Sequence, residues 1–111
     1  MPKKWVIRVA SYRHEGRLVP RRARGLRAAA VTLATREGID WHSTRGREEL
    51  LIALAGQVRV EIRSFPSLPR RLGRVTLKAG QCALLPRHTL HRVINRSAGK
   101  ASYLYVTAPV R

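Results

Sequence analysis

Apolar and polar residues alternate strictly in Val58-Arg59-Val60-Glu61-Ile62-Arg63. That period of two predicts a half-exposed strand with Val58, Val60 and Ile62 facing inward. Just before it, Leu50 to Ala55 is a continuous apolar run closed by Gly56, so Gly56-Gln57 reads as a hairpin turn. Further strands are predicted over Arg74 to Lys78, closed by Ala79-Gly80, and over Cys82 to Leu85, stopped by Pro86. His91 to Asn95 and Ser102 to Thr107 are the last two. Leu26 to Thr35 is alanine-rich, and its periodicity alone fits helix or strand. The short breaker spacing downstream favours strand, with Ala28, Ala30 and Thr32 on one face and Ala29, Val31 and Leu33 on the other. Trp5 to Val9 is a short β-rich run. Residues 13–25, with Gly16, Pro20 and Gly25, read as loop or irregular edge. Ser64 to Gly73, with Pro66 and Pro69, reads as a loop or open hairpin end. About nine short strands with frequent turn signals and no convincing helix predict an all-β fold, an antiparallel sandwich or barrel. The jelly roll is the closed double-sheet solution at this size.

Composition narrows this picture. A chain of 111 residues, 44% apolar, is one domain with a real core. Residues 1–25 are expected to form a basic arm with a short strand, and 26–111 the barrel. Cys82 is the single cysteine, which excludes an intramolecular disulfide and a cysteine-based zinc site. No stretch approaches the roughly 18–20 apolar residues of a membrane helix. Met1-Pro2-Lys3-Lys4 opens like a signal peptide, but Arg8 interrupts the apolar run that follows, so the expected location is cytoplasmic.

Charge is the oddest global feature: 23 basic residues face 6 acidic ones, a net +17. Such a balance attracts nucleic acid, anionic surfaces or acidic ligands. The excess is almost all arginine, 19 against 4 lysines, and is dispersed along the chain. Dispersed arginine reflects base composition as readily as function. Aromatic residues are only 5%, poor for stacking on single strands, and no nucleic-acid motif is present. Nucleic acid is therefore a lesser expectation than a small anionic ligand.

Of the four histidines, His14 sits alone in the basic loop and reads as solvated. The other three fall in two segments, Trp41 to Glu49 and Gly80 to Asn95. In the first, His42 lies two residues before Thr44, four residues separate Thr44 from Glu49, and six separate Glu49 from Gly56. In the second, five residues separate Gly80 from Pro86, four separate Pro86 from His91, and three separate His91 from Asn95. Together these segments resemble the two motifs of small single-domain cupins, over roughly residues 28–108. Three positions depart from the family pattern. Thr44 stands where the second histidine of His-x-His is usual, three residues separate Gly38 from His42 where five are usual, and His88 replaces a glycine.

The resemblance implies an antiparallel jelly-roll, or double-stranded β-helix, barrel with an N-terminal arm. It also implies one divalent transition metal (Fe, Mn, Ni or Zn) held by His42, Glu49 and His91. Two imidazoles and a carboxylate still make the facial triad of non-haem iron oxygenases. Thr44 shares a strand face with His42 and points at the same place, where its hydroxyl could hold a metal-bound water. His88 takes a position where glycine implies positive φ, so a turn role is expected, with a place at the pocket rim as its alternative. Without metal, His42 and His91 would be hydrogen-bonded pocket residues.

Three functions stay open at this stage. One is a metal-dependent dioxygenase, isomerase or decarboxylase acting on a small anionic organic substrate. Another is a metal-free, non-enzymatic ligand-binding barrel, and the third a basic nucleic-acid-associated protein. A homodimer is expected, with Trp5 to Val9 as the crossing strand. Glu48 is expected outward, Cys82 in the core, and Trp5 and Trp41 in packing. Tyr103 and Tyr105 share one face and line either a pocket or an oligomer interface.

Overall fold

Inward apolar positions at every second residue organise the chain into strands that close over one core. The computed structural model describes residues 7–63 and 72–110. Nine strands run in chain order: β1 (Gly16–Arg17), β2 (Arg27–Leu33), β3 (Gly38–Ser43), β4 (Arg47–Ala55), β5 (Gln57–Arg63), β6 (Leu72–Lys78), β7 (Cys82–Leu85), β8 (Leu90–Ile94) and β9 (Ala101–Pro109). No helix occurs among the described residues. The strands form two antiparallel sheets, a five-stranded one in the order β1-β2-β9-β4-β7 and a four-stranded one in the order β3-β8-β5-β6. This is the all-β jelly roll the pattern predicts.

Between the sheets lies the core of Leu33, Leu51, Ala53, Val58, Val60, Leu77, Leu85, Val93, Ala101 and Tyr103. Leu51 and Val60 have no solvent exposure. Burying a side chain of that size contributes about 1.5–3 kcal/mol. The alternating strand β5 faces as expected, with Val58 and Val60 buried. In β2 the expected faces also hold: Ala29, Val31 and Leu33 lie opposite Tyr105, Tyr103 and Ala101, on the inner side.

Several expectations need correction. Gly56 does not close a hairpin. It passes the chain from the five-stranded sheet, which holds β4, to the four-stranded sheet, which holds β5. Both strands have apolar inner faces, and each lines an opposite wall. Gly56 has φ +66°, and a Cβ there would meet the Lys100 carbonyl oxygen at 2.6 Å. The corner is thus too tight for any side chain. Cys82 is exposed on the edge strand β7, not in the core, because it points outward while Ala83 packs against the core. Trp5 and Val6 lie outside the described residues, and residues 7–9 form no strand; Ile7 and Val9 are 89% and 92% exposed. Within residues 13–25 the irregular edge is the two-residue β1, paired with β2. The loop expected at Ser64 to Gly73 falls mostly outside the described residues, and its last two positions, Leu72 and Gly73, already belong to β6.

Asn95 fastens the end of the barrel. It is fully buried, and its side-chain amide donates to the carbonyls of Leu33, Ala34 and Gly99. Its side-chain oxygen accepts the Ser97 N–H. One side chain so ties the exits of β2 and β8 to the entry of β9.

Candidate metal centre

His91 sits on β8 at an inward position between the outward Leu90 and Arg92. Its direct partner across the ladder is His42 on β3. This pairing depends on a bulge: Ile39 is opposite Val93, yet His42, three residues on, is opposite His91. One extra residue in β3 is therefore accommodated, which returns His42 to the inner face. Glu49 reaches the same place from β4 in the facing sheet, buried to 8% exposure. Its neighbour Glu48 is exposed, as strand alternation requires.

These three side chains offer ligand atoms that all lie within 4.8 Å of one another. The two imidazoles are 4.3 Å apart between ring centres. His91 Nε2 is 3.3 Å from Glu49 Oε2. Each ring is held from behind by a backbone carbonyl: His42 Nδ1 by Asp40 O at 2.8 Å, and His91 Nδ1 by Thr89 O at 3.1 Å. A carbonyl only accepts, so each Nδ1 carries a proton, which leaves Nε2 as the nitrogen that gains or loses the second one. His91 Nε2 is fully buried and has no aligned hydrogen-bond partner. Burial by itself would lower the His91 pKa, but the Glu49 carboxylate and the Thr89 carbonyl outweigh it and raise it.

A cavity of about 570 Å³ opens beside this group. Val31, Ile39, Val93 and Tyr103 give it apolar walls, and Arg27, Arg45 and Arg47 line its polar parts with Glu49. Tyr103 and Tyr105 both line it, so their shared face serves the pocket. Burial, then Glu49, then Tyr105 push the Tyr103 pKa well up, so its phenol stays protonated. Arg47 is half-buried, and burial followed by the nearby Arg27 lowers its pKa.

Thr44 is buried and borders the cavity. Its hydroxyl donates to Pro86 O at 2.8 Å and accepts the Thr89 N–H at 2.9 Å. The side chain that replaces a histidine thus staples the β3–β4 turn to the β7–β8 turn. His88 has φ 59°, lies exposed in the β7–β8 turn, and donates its N–H to Arg45 O. It is absent from the cavity lining. Trp41 packs outside the barrel, its ring 5.0 Å from the guanidinium carbons of both Arg63 and Arg92. His14 is exposed, as its loop position suggested.

Arg27, Arg47 and Thr107 were not singled out as cavity residues by the sequence. A usable signal existed for Arg47: it lies two residues from Glu49 and shares its strand face.

A two-sheet antiparallel barrel in which two imidazoles and a carboxylate converge is a small jelly-roll domain with a group of side chains that could hold a metal ion. The sequence matches the cupin domain family over residues 29–107, and the chain belongs to that family. No curated protein matches it significantly. Solved structures are similar in fold. A cupin 2 conserved barrel domain protein from Salinispora arenicola superposes with a TM-score of 0.71 at 17% identity, covering 97% of this chain and 92% of that one. The TT1209 protein from Thermus thermophilus gives 0.69 at 24% identity, covering 90% of each chain. An oxalate oxidase gives 0.70 at 20% identity over 77% of this chain, which spans only 42% of the oxidase.

Proposed function

We propose that His42, Glu49 and His91 hold one divalent transition metal, and that the chain uses it on a small anionic organic molecule bound in the cavity. The observation that carries this is the convergence of the three ligand atoms within 4.8 Å of one another around His91 Nε2, which is buried 3.3 Å from Glu49 Oε2 without an aligned hydrogen bond. A buried polar atom left unpaired costs about 1–3 kcal/mol, and a metal ion removes that penalty. The donor set of two imidazoles and a carboxylate suits Fe, Mn, Ni or Zn and leaves coordination positions for a ligand. When bound, such a metal polarises a substrate oxygen or activates O₂, the chemistry of dioxygenases, isomerases and decarboxylases. The protein's own part comes from its backbone as well as its side chains. Asp40 and Thr89 carbonyls hold both rings in one tautomer, the apolar walls limit water, and the cavity arginines draw in an anion.

The test is metal content by mass spectrometry of tag-free protein purified without chelator. Near one equivalent of a transition metal is expected, and its loss in a folded His91→Ala variant. Absence of metal after loading with Fe(II), Mn(II), Ni(II) and Zn(II) overturns the reading and leaves a metal-free binding barrel.

A second copy of the chain is the proposed protein partner. Outward positions on the five-stranded sheet carry Leu50, Ile52, Leu84, Leu104 and Val106 side by side, through the pairs Leu50–Leu84, Leu50–Val106 and Ile52–Leu104. Leu84 is 63% exposed. On a chain of +17, an uncharged face is where two like-charged copies can meet.

A further inference from the structure

One row of side chains crosses three strands at the end of the cavity. Arg27 on β2 is the direct partner of Thr107 on β9, and Thr107 is also the direct partner of Glu49 on β4. Directly paired residues share a sheet face, and all three line the cavity. Neighbouring strands lie about 4.8 Å apart, so the Arg27 backbone is about 10 Å from that of Glu49. Arg47 joins this row from the same face of β4. Its Nε donates to Thr107 Oγ1 at 2.8 Å, and its Nη2 donates to Thr107 O at 3.1 Å and to Gly25 O. These bonds fix the guanidinium, and among the described residues its Nη1 has no hydrogen-bond partner. Neither Arg27 nor Arg47 forms an ion pair among the described residues. Arg27 and Arg47 share the cavity with Arg45 and Glu49 but pair with no carboxylate among the described residues, so the two guanidinium groups repel each other, the more so where burial excludes water.

We infer that Arg27 and Arg47 form an oxyanion subsite in the same cavity as the His42/Glu49/His91 group, on its Thr107 side. The subsite takes a carboxylate or phosphate, and Arg47, held by its bonds to Thr107 and Gly25, is the specificity-determining residue. A guanidinium fork suits either oxyanion. The ligand is then two-ended: an anionic group at the arginines, and a second oxygen function a few atoms away at the metal. The second half of this statement rests on the proposed metal centre; the subsite itself does not.

The experiment titrates inorganic phosphate and succinate by calorimetry at one ionic strength, first into metal-free protein and then into metal-loaded protein. The proteins are the native chain, Arg47→Gln, Arg27→Gln, and the outer-face controls Arg59→Gln and Arg74→Gln, which remove the same charge. In metal-free protein, each cavity variant is expected to weaken binding about tenfold, the equivalent of one charge-assisted hydrogen bond. The controls should stay within about twofold, consistent with screened surface charge. Preference for phosphate or for succinate identifies the anionic end. Equal affinity in all five proteins, or no binding, overturns the subsite. Should Arg47→Gln fail to fold, Arg27→Gln, whose side chain is exposed, decides the matter alone. Metal loading should strengthen succinate binding in the native chain. Absence of that gain while the arginine dependence persists counts against the metal centre and leaves the subsite standing.

Discussion

Glu61 is nearly fully buried on the outward side of β5, under Arg92 and beside Arg59. The Arg92 hydrogen bond lowers its pKa; burial opposes this, and Arg92, Arg96 and Arg59 charges add to the lowering. A carboxyl whose folded pKa lies below its unfolded value stabilises the fold above the unfolded pKa, about 4.3, and that stability is lost as pH falls through the folded value. Urea midpoints should therefore separate the native chain from Glu61→Gln at pH 7 and converge toward pH 3. A gap independent of pH would contradict this. Single-residue chemistry was legible where spacing carries it. His42, Glu49 and His91 could be named from the sequence because the local residue counts to Gly56 and Asn95 carry the resemblance to the cupin motifs. The bonds of Thr44 were not legible, because its partners Pro86 and Thr89 are more than forty residues away. Asn95 shows the same limit: its spacing was visible, its three carbonyl partners were not. Asn95→Ala should cost about 2–3 kcal/mol of stability, read from the denaturation midpoint at unchanged slope.

At the scale of elements, alternation located most strands and their inward faces but not which sheet each joins. Leu50 to Ala55 followed by Val58 to Arg63 looks the same whether the connection is a hairpin or a corner between sheets. What decides it is the approach of Lys100 and Ala101 to Gly56, which only the folded chain reveals. Gly56→Ala combines strained φ with a backbone clash, so a loss of about 2–3 kcal/mol is expected. Near-native stability in that variant would show that the corner relaxes. The β3 bulge was equally hidden, since nothing in Gly38 to Ser43 marks an extra residue. Yet without it His42 would face Leu90 and turn outward, so the proposed metal centre depends on an irregularity.

For the whole molecule, the +17 charge was legible in bulk and its distribution was not. Folding sends Arg59, Arg63, Arg74, Lys78 and Arg92 to the outer face of the four-stranded sheet, with Glu61 their buried counter-charge. It leaves the outer face of the five-stranded sheet apolar, with Glu48 the one charge on the outward positions of β4, β7 and β9. Of the expected crossing strand, residues 7–9 lie exposed and form no strand within the single chain. If two copies meet on the apolar face, light scattering should give twice the 12.5 kDa chain mass. Leu84→Glu should return the monomer, while Thr76→Glu on the opposite sheet should not. Salt provides the sharper discrimination. Like-charged copies repel over the Debye length, about 10 Å at 0.1 M, so added salt should tighten this dimer severalfold. Binding to nucleic acid or to a small anion should weaken under the same addition. A native chain that stays monomeric at high salt and high concentration would remove the second copy as partner and return the apolar face to a partner of another kind.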